Sequence, residues 1–328
     1  MSQICANNGI QRKQKLRELG TMNELIKRAL HIRFIKLAFI LVFQENVELP
    51  VNKTSAIRGG IGEMLLRANC IRDRNCEACD FREVCIVQRT MYTRFKERPS
   101  YVTTGESVGY VLECENSQKY FGRGDFFKFT LLLFGENIVY FNQYLQAVCA
   151  LGQQGIGKDN ARFKVYTIKN TENEEIMIGN RIYMEKYKIG YLDEYVEKQM
   201  KEKRYLQSHK IIFSTPLTLK YQGKFHGEFH MDSILAGIRR RIYMLDCFEG
   251  IQEEAWMQWK LPEVEISEQK ACLRRVDRYS ARKGERMSLY GLTGEICLQE
   301  VPEEAKILLL PGELIHVGKN TSFGFGKY

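Results

Sequence analysis

The stretch "GQQGIGKDNARF" (residues 152–163) decides how this chain is read. Its G-x-x-x-x-G-K spacing matches the loop that cradles nucleotide phosphates. That loop, however, continues with a Ser or Thr that holds magnesium, and it opens a helix whose N-terminus faces the phosphates. Here Asp159 follows Lys158, and the order of elements is inverted. The preceding "ENIVYFNQYLQAVCAL" (136–151) has Ile138, Phe141, Leu145 and Val148 on one helical stripe, and the following "ARFKVYTI" (161–168) reads as a strand. Helix, loop, strand is the wrong sense for a nucleotide-hydrolysing domain, which argues against that class.

The C-terminus repeats the arrangement. A helix predicted to begin near Pro302 runs into "HVGKNTSFGFGKY" (316–328), whose last seven residues read as a strand. Outward from these two anchors the halves fall into one pattern. In the first, "HIRFIKLAFILVF" (31–43) predicts a buried strand and "SAIRGGIGEMLLR" (55–67) a helix weakened by its glycines. Strands follow at 108–114 and 124–134, then the 136–151 helix and the 161–168 strand. In the second, 209–220 reads as a strand with Pro216 at its edge or at a bulge, and 228–245 as a helix. Strands at 271–281 and 286–299 flank a "KGE" turn. Two βαββαβ units predict an α+β chain of tandem ferredoxin-like, RRM-like domains. The expected boundaries are an N-terminal extension (1–30), a first domain (31–170), a polar connector of helix and hairpin (171–206) and a second domain (207–328).

The composition, 44% hydrophobic and 27% charged over 328 residues, is that of a globular protein with room for two cores. The longest apolar run, "LAFILVF" (37–43), is too short to span a bilayer, and the N-terminus lacks the pattern of a signal peptide. We therefore expect a cytoplasmic protein without a membrane partner, whose ten cysteines are thiols or metal ligands. The net charge of +9 favours an anionic partner. Residues 270–290 carry seven Lys/Arg against two acids, and "RRR" occupies 239–241. Either run alone also fits a solvated face; two in one half point to nucleic acid. Arg239, Arg240, Arg274 and Arg275 are the candidate contacts, to RNA or DNA.

Both glycine loops suit a polyanion's backbone. Gly155, Gly157, Gly318, Gly324 and Gly326 would let the chain approach phosphate closely, and Lys158, Lys319 and Lys327 would supply charge without sequence preference. The competing reading is that these glycines serve only tight turns and close strand packing. In "CIRDRNCEACDFREVC", Cys70, Cys76, Cys79 and Cys85 bracket a central C-x-x-C. Structural zinc, an iron–sulfur cluster and free thiols all remain open for such a spacing, and zinc is the expected state.

"RYSARKGERMSLYGLTGEI", "LLLPGELIHVGKNTSFGFGKY", "FSTPLTLKYQGKF" and "SILAGIRRRIYML" together resemble the CRISPR precursor-RNA processing endoribonucleases of the RAMP superfamily. "YLQAVCALGQQGIGKDNARFKVY" is similar to the end of that family's first domain. The resemblance runs over residues 31–328 and is most specific in the last fifty, where Gly324 and Gly326 match a closing G-x-G. It implies two ferredoxin-like domains, CRISPR repeat RNA as partner and cleavage without a catalytic metal. In that chemistry the RNA's 2′-OH attacks the adjacent phosphate, leaving a 2′,3′-cyclic phosphate and a 5′-OH. The family's histidine base commonly lies in or near the first helix, and the matching "LPVNKTSAIRGGIGEMLLR" (49–67) contains none. Lys53 and Arg58 are the expected phosphate-charge stabilisers there. His316 either orients the terminal loop or acts as base. The alternative function is a non-catalytic RNA-binding RAMP subunit of a CRISPR effector complex; a zinc-stabilised nucleic-acid-binding protein unrelated to CRISPR is a third reading.

Overall fold

The computed structural model describes residues 24–93, 95, 97–102, 107–202, 209–280 and 285–328. Residues 1–23 of the expected extension, the end of the connector at 203–206 and most of the "KGE" turn lie outside them.

Strand β1 (Arg33–Phe43) is the axis of the first half. Its β-branched and aromatic residues alternate across the sheet, and Ile35, Leu37, Phe39, Leu41 and Phe43 all enter one core. β5 (Phe126–Phe134) and β6 (Phe163–Lys169) pair antiparallel on either side of it, and β3 (Tyr110–Glu113) pairs with β5. Phe39 and Phe129, opposite each other in the register, stack at 4.9 Å. Helices α2 (Thr54–Asn69) and α4 (Phe141–Gln154) cover that face through Ile57, Ile61, Leu65, Leu145, Val148 and Leu151. A Cβ on Gly60 would lie 2.6 Å from the Leu151 side chain, so glycine sets the close approach of the two helices. The short β2 (Val47–Glu48) and β4 (Tyr120–Phe121) pair apart from this sheet.

At one end the other face of the sheet is buried too. Leu132, Phe134 and Val111 point away from α2 and α4 into a second core, shared with α6 (Met231–Glu249) and α8 (Glu303–Ile315). This explains why "LLLF" (131–134) is uninterruptedly apolar: two layers sandwich it. The helical residues 24–30 (α1) contribute Ile26, Ala29 and Leu30 to the same core. The connector is part of the first sheet. β7 (Glu175–Ile178) and β8 (Arg181–Ile182) form a hairpin that extends it past β6, β9 (Gly190–Tyr191) pairs with β1, and α5 (Leu192–Lys201) follows.

The second half carries a three-stranded antiparallel sheet in the order β10-β12-β11, with β10 at Lys210–Leu217, β11 at Ile266–Ser280 and β12 at Glu285–Leu298. A single turn, α7 (Ala255–Gln258), buries Trp256, whose indole N–H donates to the Arg239 carbonyl of α6. The observed architecture is thus mixed α+β with antiparallel sheets throughout.

Two elements differ from expectation. The 136–151 helix opens as a 3-10 turn, Gly135–Tyr140, before α4 begins. Gly135 sits at φ +53 and the buried Asn137 amide reaches the Thr90 carbonyl at 3.4 Å, so tertiary partners replace the first helical turn. The expected last strand, "SFGFGKY", is not one: Thr321–Phe323 is a 3-10 turn. Gly324 and Gly326, at φ +77 and +73, fold the segment back on itself. Its end nevertheless lies along β10, where Ser214 N–H donates to the Lys327 carbonyl and Gly326 N–H to that of Pro216. A Cβ on Gly326 would sit 1.8 Å from the Val317 carbonyl oxygen. Gly326→Ala should therefore cost at least about 2 kcal/mol in urea unfolding, from both the left-handed backbone and the collision.

Candidate nucleic-acid interface

The terminal loop docks on the first half. Thr54, at the start of α2, donates from Oγ1 to the Phe323 carbonyl at 2.6 Å. A Cβ on Gly324 would meet the Leu112 carbonyl oxygen at 2.5 Å, so the loop presses directly against β3. Beneath it, His316 is fully buried with both ring nitrogens on protein acceptors: Nδ1 lies 3.0 Å from the Phe325 carbonyl and Nε2 3.1 Å from Glu113 Oε1. Glu113 Oε2 is 3.3 Å from the ammonium groups of both Lys36 and Lys327. Burial opposes the Glu113 charge, but the His316 hydrogen bond and the two lysines overcome it and lower its pKa to about 2. Burial pushes the His316 imidazole below its ordinary value against the pull of Glu113. Its backbone, at φ 59 and ψ 168, occupies a region normally left to glycine, and the side-chain bonds hold it there.

Lys53 is buried as well. Its ammonium donates to the carbonyls of Asn116 (2.8 Å) and Val51 (3.3 Å), and burial lowers its pKa. Arg58, one turn further along α2, is presented differently. Its guanidinium lies 4.2 Å from the centroid of the Phe323 ring, and Nη2 donates to Ser107 Oγ at 3.1 Å. From the other half, the Arg278 guanidinium reaches the same ring at 4.6 Å. Neither arginine has a carboxylate partner among the described residues, and the buried Nε of each lacks a hydrogen-bond acceptor. Burial, and secondarily the Arg58 charge, lower the Arg278 pKa. Two guanidiniums from different halves therefore converge on one aromatic ring with their charge uncompensated.

The remaining candidates scatter. The amides of Gly324 and Gly326 donate to Thr321 and Pro216, so they are not free for phosphate. A Cβ on Gly155 would lie 1.9 Å from the Asn160 carbonyl oxygen, on Gly157 2.9 Å from that of Glu48, and on Gly318 2.6 Å from that of Thr218. These glycines serve close backbone packing, the second of the two readings above. Lys158 and Lys319 are exposed, whereas Lys327 is spent on Glu113 and, at 2.5 Å, Glu115. Arg239 donates to the Trp259 carbonyl, Arg240 is exposed, and Arg275 pairs with Asp277. Arg274 is exposed and shares a strand face with Arg278, opposite Gly291 and Met287 respectively. The sequence marks 274 and 275 by adjacency; only strand parity, and Phe323 waiting in the docked loop, distinguish 278.

All four clustered cysteines line one cavity of about 240 Å³, and the Arg74 amide donates to Cys70 Sγ at 3.2 Å, as it would to a thiolate. The donor chemistry suits zinc, yet among the described residues no group of three or more His, Cys, Asp or Glu stands close enough to hold a metal. No helix among them is long and apolar enough to cross a membrane.

The sequence model of the CRISPR-associated endoribonuclease Cas6 matches residues 211–328, and a second family model, described as an N-terminal domain, matches residues 31–194. An uncharacterized protein of Archaeoglobus fulgidus is 23% identical over 284 residues, covering 85% of this chain and 92% of its own. Among solved structures, a partial Cas6-RT-Cas1–Cas2 complex matches with a TM-score of 0.55 at 11% identity, over 90% of this chain. This chain spans only 45% of that one. Thermus thermophilus Cas6 matches with a TM-score of 0.46 at 13% identity, over 90% of this chain and 97% of the other. At the level of fold, then, the molecule is similar to part of the Cas6-RT-Cas1–Cas2 complex. Residues 211–328 thus carry the domain of the Cas6 family of CRISPR-associated endoribonucleases.

The buried ion network carries a pH signature. A folded-state histidine pKa below the unfolded value contributes stability that is present above about pH 6.5 and lost as pH falls. Glu113, lowered from 4.5 to about 2, matters only below that range, and Asp246, raised to about 6 by burial, works in the opposite sense. Urea unfolding of His316→Gln should therefore show a smaller loss of stability than the parent between about pH 7.5 and pH 5.

Proposed function

We propose that this chain is a metal-independent endoribonuclease that cuts CRISPR repeat RNA in precursor transcripts to yield guide RNAs. The Cas6 domain at residues 211–328 and one observation support this: Arg58 and Arg278 meet, unneutralised, over Phe323 where the two halves join. Two guanidiniums can share the non-bridging oxygens of one phosphate. When the RNA's 2′-OH attacks that phosphorus, negative charge grows on those oxygens. The phosphorus–5′-oxygen bond then breaks to give a 2′,3′-cyclic phosphate and a 5′-OH. Fixed cations at that position favour the transition state over the ground state. Phe323 offers its ring to both guanidiniums, and Arg274 continues the positive track along the same face of β11.

Lys53 supports this site indirectly, by holding the loop around Asn116. With both nitrogens engaged inside the protein, His316 suits the positioning of the terminal loop better than proton transfer. That same sealing, and the lack of a histidine on α2, favours a second reading: a non-catalytic RNA-binding subunit of an effector complex. The tandem ferredoxin-like architecture is supported by the first sheet order, β3-β5-β1-β6, and by the β10-β12-β11 sheet with the terminal segment beside β10. A structural zinc held by Cys70, Cys76, Cys79 and Cys85 and a cytoplasmic location complete the proposal. No catalytic metal is required by the chemistry.

Labelled repeat RNA incubated in EDTA should be cut, and a 2′-deoxy residue at the cut site should abolish cutting; tight binding without cleavage would favour the subunit. Arg58→Ala and Arg278→Ala should each slow cleavage by about 10²-fold in single-turnover assays. Elemental analysis of protein purified without chelators should find about one zinc per chain, falling on Cys79→Ser.

A further inference from the structure

A second cavity lies on the opposite face of the β11–β12 hairpin. It measures about 420 Å³ and is walled by the end of β10, the start of α6 and β12 around Tyr290. The segment "LKYQGKFHGEFH" (219–230) builds its mouth. Tyr221 and Lys224 exchange both backbone hydrogen bonds across Gln222 and Gly223, at φ 46 and 79, which makes a two-residue hairpin turn. The turn brings three rings together. Tyr221 stacks on His230 at 3.9 Å and 11°, and His226 meets His230 edge-on at 5.2 Å and 83°. Phe229 buries itself against Phe213, at 5.0 Å, and so fixes the ring cluster to the core.

Ordinary roles do not absorb these rings. His230 precedes α6 but makes no side-chain capping bond, and neither imidazole has a hydrogen-bond partner among the described residues. Phe225 is 61% exposed beside the cavity, with the Lys220 ammonium 5.4 Å from its ring, and Tyr290 is 48% exposed. Exposed aromatic faces, free imidazole edges and a rim cation form a pocket that a packed core would not leave open.

We propose that this cavity binds an unstacked nucleobase of single-stranded RNA. A base offers a flat π-face for the Tyr221–His230 stack, polar edges for the imidazole nitrogens and a phosphate for Lys220. The size suits such a ligand. The location suits it as well: Asn320 lines the cavity and opens the turn that carries Phe323, and Ser288 in its wall neighbours Met287, the register partner of Arg278. Because β11 is the sheet's edge strand, a chain of RNA can round it from one face to the other. The inference rests on the RNA-binding reading above and adds a specificity pocket to it.

The test is equilibrium binding of a short fluorescein-labelled oligoadenylate, alone and with an abasic ribose at each position in turn, in EDTA. His230→Ala should weaken binding about tenfold, His230→Phe should restore most of it, and one abasic position should weaken binding to the parent and to His230→Phe but not to His230→Ala. Phe225→Ala, at an exposed site, should give a smaller loss in the same pattern, and decides the matter if His230→Ala fails to fold. Unchanged affinity in folded His230→Ala, or in Phe225→Ala should His230→Ala not fold, overturns the pocket alone. Absence of any binding by the parent overturns pocket and interface together. Cleavage of repeat RNA is read separately, so a chain that binds bases without cutting keeps the pocket and loses the nuclease reading.

Discussion

The carboxylate of Glu113 and the imidazole of His316 face each other across the junction of the two halves, 3.1 Å apart and sealed from water. Glu113 ends β3 of the first sheet, while His316 ends α8 of the second half. Burying that charge is costly unless every lone pair finds a partner, and Lys36 and Lys327 supply the rest. The network also holds His316 in a backbone conformation it would otherwise leave. Everything beyond it in the chain, from Val317 to Tyr328, takes its position from this clasp.

The clasp acts with an apolar seam and with two further bridges. Arg241 is buried and donates to Val108 in the first half and to Ile315 in the second, and Arg33 grips Glu249 through its guanidinium and its backbone amide. With the halves fixed in this way, Phe323 lands beside α2, and Arg278 reaches the ring that Arg58 already faces. Sheet, helix and loop thus bring both cations to one aromatic ring. Neither cation meets a carboxylate among the described residues, and that unmet charge is what the proposed role in binding phosphate rests on.

Much of this architecture was legible in the residues. The alternation in "RFIKLAFILVF" gives β1 its faces, and the four-residue spacing in 141–151 gives α4 its stripe. The inverted order around "GIGKD" by itself argues against a nucleotide loop. Less was legible in the site. Lys53 and Arg58 stand five residues apart on one segment with similar chemistry, yet one is sunk among carbonyls and the other is presented. Composition does not distinguish them, because burial here depends on the Asn116 loop, more than sixty residues away. The glycines of the terminal loop read equally as phosphate cradle or tight turn, and the carbonyls of Val317, Leu112 and Thr218 decided for the turn.

The sequence by itself determined the order of the main strands and helices up to the terminal segment, the basic character of the second half and the family to which its last hundred residues belong. Those properties are local: they follow from periodicity, turn chemistry and motif, each confined to a short window. Tertiary structure decided which polar groups meet. Arg58 and Arg278 lie far apart along the chain, as do Glu113 and His316, and no periodicity links either pair. Their meeting depends on how two sheets and a docked loop pack, which is a property of the whole fold.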